Sequence, residues 1–323
     1  MKTGFFIGLT LLVIFTAVVE AHGRKLQVAY TGIGGLYTIL WTGQEAGLFK
    51  KYGIETDLVL IQPSSKAAQI LISGDIDIVN GGSPTVVTAN LQGADLVIIA
   101  SNCNRSTLSF FTAPSINRIQ DLKGKVLGVT RFGASNDFET RYILKKNQLE
   151  PGKDVSLLQT GGYLEMLAAF QNNHIVGGLI GLPLSLKVKK QGLKELFGPE
   201  ANPIYDIGAF IVKKSFIKDN REDLKKFLRA LIAAFDVANQ NPELAKKAVG
   251  KYTRTVDSEA LDATQIHYSK QCAVRLPFAS LPGLRLVTDF TAESLPEARK
   301  LNIESVIDHS LLKELQQEGL TDK

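Results

Sequence analysis

Residues 81–85, Gly-Gly-Ser-Pro-Thr, are of the types that grip a small polar molecule. They follow a short acidic strand predicted over 75–79, and Pro84 suits a first helical position, where a missing N–H is not needed. Ser83, Pro84 and Thr85 therefore bring hydroxyls and free amides to the carboxyl end of a strand, the place where open α/β sheets put ligands. Ser83 equally suits a plain helix cap. Thr31-Gly32-Ile33-Gly34-Gly35-Leu36-Tyr37 repeats the arrangement after the first strand. Its spacing is neither dinucleotide-binding nor Walker type. Gly34, Gly35, Leu36 and Tyr37 are candidates for close backbone approach to a bound acceptor group, or simply for a tight strand-to-helix turn.

A third loop of this kind spans 130–136 and holds Arg131, Phe132, Ala134, Ser135 and Asn136. Ser135 or Asn136 can cap the helix that follows, and the unpaired amides of its first turn suit an anionic headgroup. Arg131 adds a forked donor that matches sulfonate, phosphate or carboxylate. The alternative for Arg131 is a surface pair with Asp137 or Glu139. By position alone, Ser101-Asn102, Gly161-Gly162-Tyr163 and Gly181-Leu182-Pro183 also face the site. Tyr37, Trp41, Phe132 and Tyr163 could wall a planar or alkyl ligand, although core packing is the default for Trp41 inside a helix.

Catalysis finds little support. There is no Gly-x-Ser-x-Gly elbow and no set of Ser, His and acid. His22, His174, His267 and His309 are dispersed without metal-ligand spacing, so neither a metal nor a cofactor is expected. An oxidising compartment permits a bridge between Cys103 and Cys272, and two buried thiols fit equally well.

Positioning these loops requires alternating strands and helices. Strands are predicted over 26–30, 54–61, 75–79, 96–100, 126–129, 155–158 and 175–180. Helices are predicted over 36–50, from Ser64 or Ser65 to Gly74, from Pro84, over 136–146, over 163–171 and over 221–238. This alternation implies parallel sheets. Residues 1–21 have a lysine, a charge-free apolar run and small residues before a cleavage point, the pattern of a secretory signal peptide. No cysteine near the junction offers a lipid acceptor, which favours a Gram-negative periplasm. About 300 mature residues exceed what one core usually supports, so two lobes are expected. Segments 110–114 and 203–209 are the expected crossings between them. The net charge of +5 comes from scattered Lys and Arg, without the aromatic-interleaved stripe of a nucleic-acid binder.

Residues 45–53, 73–77, 81–85 and 121–135, within a resemblance covering nearly the whole mature chain, resemble the solute-binding proteins of ABC importers. The group includes sulfonate, taurine, nitrate and thiamine-pyrimidine-precursor binders. The resemblance implies a bilobed type II periplasmic-binding-protein fold, two doubly wound α/β lobes joined by a two-segment hinge. Lobe 1 would comprise 22–112 and 206–323 with the C-terminal helices, and lobe 2 would comprise 113–205. In this group the loop at 130–136 grips the solute, here expected to be a small anion, with a neutral heteroaromatic as the alternative. Leu182 stands where the sulfonate binders often have a polar or aromatic residue. The implied partners are an ABC permease and ATPase complex, with membrane contact only through the permease and the chain acting as a monomer. A thiamine-pyrimidine-synthase-like enzyme and a periplasmic sensor are the other readings. The enzyme's cysteine-rich iron motif is not in this sequence.

Overall fold

The computed structural model describes residues 25–320, so the expected signal segment lies outside the described residues. Ten strands occur among them: β1 (Lys25–Tyr30), β2 (Glu55–Leu60), β3 (Ile78–Gly81), β4 (Leu96–Ser101), β5 (Leu108–Thr112), β6 (Val126–Val129), β7 (Ser156–Gln159), β8 (Gly177–Gly181), β9 (Lys194–Phe197) and β10 (Ala209–Lys213). The helices of the first half are α1 (Thr38–Glu45), α2 (Leu48–Lys51), α3 (Ser64–Ser73), α4 (Ser83–Leu91), α5 (Ser135–Lys146), α6 (Tyr163–Gln171) and α7 (Leu184–Lys190). Those of the C-terminal part are α8 (Lys214–Asp219), α9 (Arg221–Gln240), α10 (Pro242–Thr253), α11 (Ser258–Gln265), α12 (Leu281–Ser294) and α13 (Ser310–Gln317).

Two five-stranded sheets result, ordered β2-β1-β3-β10-β4 and β7-β6-β8-β5-β9. β1 is parallel to β2 and β3, and β6 is parallel to β7 and β8. The expectation of wholly parallel sheets is corrected at one strand in each. β10 runs antiparallel to β3 and β4, and β5 runs antiparallel to β8 and β9. Each is the first strand after a crossing from the other sheet, so it starts at the crossing and runs away from it. Because Leu108–Thr112 pairs within the second sheet, the chain leaves the first sheet after Ser101 rather than after Thr112. The crossings are residues 102–107 and 202–208.

Strands covered on both faces read as continuous apolar runs, and β4, although at the edge of its sheet, is buried at every position. In the first lobe Phe49 stacks on Phe227 of α9, and Phe210 of β10 meets the same ring edge-on. The second sheet is covered on both faces: Phe110, Leu127, Ile143 and Leu179 pack on one, Phe111, Met166, Ile175 and Val188 on the other. The helix expected over 36–50 is broken into a 3-10 turn, α1 and α2, because Gly47 turns the chain at a φ of 64°. Cys103 and Cys272 are bridged, with Cα atoms 5.2 Å apart. That bond fastens the first crossing to the C-terminal part of lobe 1.

Candidate functional site

A cavity of about 760 Å³, part of it open to solvent, lies between the lobes. The loops after β1, β2 and β3 line it from one side and those after β6, β7 and β8 from the other, with Thr107 and Ile207 from the crossings. Four helices begin at its edge. Their N-cap residues are Pro63 (α3), Gly82 (α4), Ala134 (α5) and Gly162 (α6), and no side chain caps any of them. In α3, α5 and α6 first-turn amides are therefore left for another acceptor, whereas in α4 Ser83 N–H donates to Asp206 O, Thr85 N–H donates to Gly82 O and Pro84 has none.

The caps expected from Ser64 or Ser65, Ser83, and Ser135 or Asn136 are not made. Ser64 Oγ instead shares a 2.8 Å hydrogen bond with Thr85 Oγ1. Asn136 fastens the ends of β6 and β8, its Oδ1 accepting from Thr130 N at 3.2 Å while Nδ2 donates to Leu179 O at 3.1 Å. Ser83 Oγ and Ser135 Oγ are buried without a partner.

Of the residues singled out in the sequence, Gly34, Leu36, Tyr37, Ala134, Ser135, Asn136 and Tyr163 line the cavity together. Gly35 N–H is already used, donating across the lobes to Leu182 O at 2.9 Å. Pro183 sits between the lining residues Gly181 and Leu184. Ser83, Pro84 and Thr85 are buried behind the wall, Ser83 N–H donating to Asp206 O at 2.8 Å. Ser101 and Asn102 build the crossing: Ser101 N–H donates to Pro277 O and Asn102 N–H to Gly208 O. Trp41 is fully buried core, stacked on Tyr252 with centroids 5.1 Å apart.

Arg131 and Phe132 lie outside. Both are exposed, and Arg131 makes no ion pair among the described residues. Its proposed surface partners are engaged elsewhere. Asp137 pairs with Arg141 at 2.6 Å, and the Arg141 guanidinium sits 5.1 Å from the Phe132 ring centroid. Glu139 is fully buried and accepts from Ser106 Oγ at 2.7 Å and from the Tyr205 hydroxyl.

Among the described residues, no Lys, Arg, His, Asp or Glu lines the cavity. Its titratable groups are Tyr37, Tyr163 and Tyr268, all raised by burial, Tyr37 to about 12, so they face the cleft as neutral phenols. Tyr37 shares its proton with Thr31 Oγ1 at 3.0 Å, and Tyr268 donates to Thr107 Oγ1 at 2.9 Å. Behind them, burial pushes Glu139 up to about 7 and Asp206 up to about 6. Sequence reading missed Thr31, Gln62, Thr107, Ile207 and Tyr268. Gln62 follows a predicted strand and was open to the same positional argument, whereas Tyr268 arrives from a π-helical turn, Ile266–Cys272, with no local signal.

Two α/β lobes, each with strand ends turned to a shared cleft and each crossed into by an antiparallel strand, define the type II fold of periplasmic binding proteins. Within that class the chain belongs to the NMT1/THI5-like family, whose model matches residues 36–245. It is 26% identical over 257 residues to YtlA of Bacillus subtilis (strain 168), which is provisionally named as a binding protein, with 76% of each chain covered. Among solved structures, the periplasmic nitrate-binding protein NrtA from Synechocystis PCC 6803 superposes with a TM-score of 0.74 at 17% identity, covering 92% of this chain and 89% of that one. The alkanesulfonate-binding protein SsuA from Xanthomonas axonopodis pv. citri, bound to MOPS, gives 0.72 at 16% identity, covering 90% and 99%.

Proposed function

We propose that this chain is the extracytoplasmic solute-binding component of an ABC importer, capturing a small anionic, sulfonate- or carboxylate-like solute between its lobes for delivery to a permease. The observation that carries the reading is the set of three helix starts, those of α3, α5 and α6, with uncapped first-turn amides around a cleft lined, among the described residues, by no charged side chain. Amide groups at helix starts hold acceptor oxygens without a cation. Ile33, Leu36, Ile180, Leu184 and the three tyrosines supply an apolar wall for the carbon part of the solute. Family membership and relatives named as sulfonate and nitrate binders support the same class.

On this reading residues 1–21 are the export address to a periplasm, and the permease reads the paired lobe surfaces. The chain acts as a monomer with no cofactor. A thermal-shift screen of the mature chain against alkanesulfonates, taurine, nitrate, aromatic carboxylates and pyrimidines tests it. A solute at one hundred times its dissociation constant stabilises by about 2.7 kcal/mol. Arg131→Ala keeps that shift and Tyr163→Ala loses it. Response to pyrimidines alone overturns the anionic solute, and chemical conversion of the recovered solute overturns the binding role.

A further inference from the structure

Glu139 is an unusual residue to bury, and its partners come from both crossings. It rides on α5 in lobe 2, yet its carboxyl is held by Ser106 of the first crossing and Tyr205 of the second. Tyr205 is itself fully buried, with its ring edge-on to Phe138 at 5.1 Å, and its hydroxyl adjoins Ser135. Ser135 lines the cleft, and its Oγ is buried without a partner. The Tyr205 and Ser135 hydroxyls thus lie between the carboxyl and the cavity, with no hydrogen bond between the two.

We propose that Glu139 is a positioning residue for solute capture: its carboxyl ties both crossings to lobe 2 and, through Tyr205, orients the Ser135 hydroxyl into the cleft. The inference rests on the solute-binding reading. When Glu139 is protonated it donates to the Tyr205 oxygen, Tyr205 donates to Ser135, and the Ser135 proton is left pointing at an acceptor in the cleft. When Glu139 is ionised, Tyr205 donates back to the carboxylate and the ordering of Ser135 is lost. The buried charge then also faces an arriving anion.

The groups around the carboxyl reinforce this polarity. Tyr205, Tyr163 and Tyr268 sense its charge from the second crossing, from α6 and from the π-helical turn, and all three are neutral. On its own helix Asp137 and Arg141 satisfy one another. Asp206 is a second buried carboxyl beside Tyr205, and Arg105 beside Ser106 points to solvent. No cation lowers the proton affinity of Glu139, which titrates near 7.

Isothermal titration of methanesulfonate into wild type, Glu139→Gln and Tyr205→Phe, from about pH 5.5 to about pH 8.5, tests the proposal. Wild-type affinity is expected to fall several-fold with an inflection near 7. Glu139→Gln, which keeps a donor and an acceptor at every pH, should hold the low-pH affinity throughout. Tyr205→Phe, which keeps the packed ring, should be flat and weaker by roughly tenfold, the worth of one hydrogen bond. Parallel profiles in wild type and Glu139→Gln overturn the proposal. If methanesulfonate gives no heat with any variant, the sulfonate reading of the cleft falls and the clasp is judged by melting temperature. A decline between about pH 4.5 and about pH 7 that is shallower in Glu139→Gln sustains the clasp, and identical declines overturn it.

Discussion

Asp206 shows how one buried side chain makes the molecule pH-sensitive apart from any solute. It is fully buried in the second crossing, and its Oδ2 accepts from Ser280 N at 2.9 Å. Burial raises its pKa from 3.8 to about 6. The folded chain therefore keeps a proton that the unfolded chain has already released. The stabilisation is complete below about pH 3.8 and is lost as pH rises through about 6. Its full size is on the order of 3 kcal/mol. Asp206→Asn, which retains an acceptor for Ser280, should raise the melting temperature near pH 7.5 more than at pH 5, as calorimetry at the two pH values will read. Equal shifts would mean that the carboxyl is hydrated in the folded state.

At the scale of elements, the approach of the two site loops is limited by glycine. A Cβ at Gly82 would run into Ser135 across the cleft, so α4 and α5 come this close only because position 82 has no side chain. Gly82→Ala should leave the unfolding free energy of the unliganded protein within about 1 kcal/mol of wild type, since the lobes can part slightly. Solute affinity should drop by at least tenfold, measurable as loss of the thermal shift at a fixed solute concentration. Retained affinity would show that closure does not require this contact.

The same elements show what the sequence made legible. Val126–Val129 and Tyr163–Gln171 fall where alternation and periodicity put them, because their burial pattern is set by their own residues. β5 and β9 were missed. Leu108–Thr112 is flanked by polar residues and is paired only by strands distant in sequence, and Lys194–Phe197 is an edge strand, only half-buried, whose composition carries little signal. The cleft loops were legible because glycines and hydroxyls cluster at strand ends. Arg131 misled, since its charge suggested a place in the cleft, whereas it is exposed and does not line the cavity. Glu139 could not be found as a buried group from a helix read as surface.

For the whole molecule, the Cys103–Cys272 bridge and the contacts between the lobes set the mechanics. Val274 N–H donates to Asn102 O and Ser101 N–H to Pro277 O, so the first crossing is sewn to the C-terminal part of lobe 1 along a length of chain. Lys190 reaches Asp257 at 2.7 Å and Glu259 at 2.8 Å, and Lys145 reaches Glu293 at 2.8 Å, each pair spanning the two lobes. These exposed pairs contribute little individually and weaken with salt. The bridge is different in kind, because it closes a loop of 169 residues. Replacing both cysteines by serine should cost between about 2 and 5 kcal/mol, read as a lower denaturation midpoint, with the cleft geometry retained. A midpoint unchanged by reduction would show that the backbone stitching alone fixes the crossing.

The position of β10 also sets an order of assembly. It lies between β3 and β4, so β4 has no strand partner in its sheet until residues 209–213 have left the ribosome. The second sheet draws all its strands from one continuous stretch, 108–197, and can be completed while the first still lacks its keystone. The lobe that comes later in the chain is therefore the one able to fold first. The earlier lobe remains incomplete for longer.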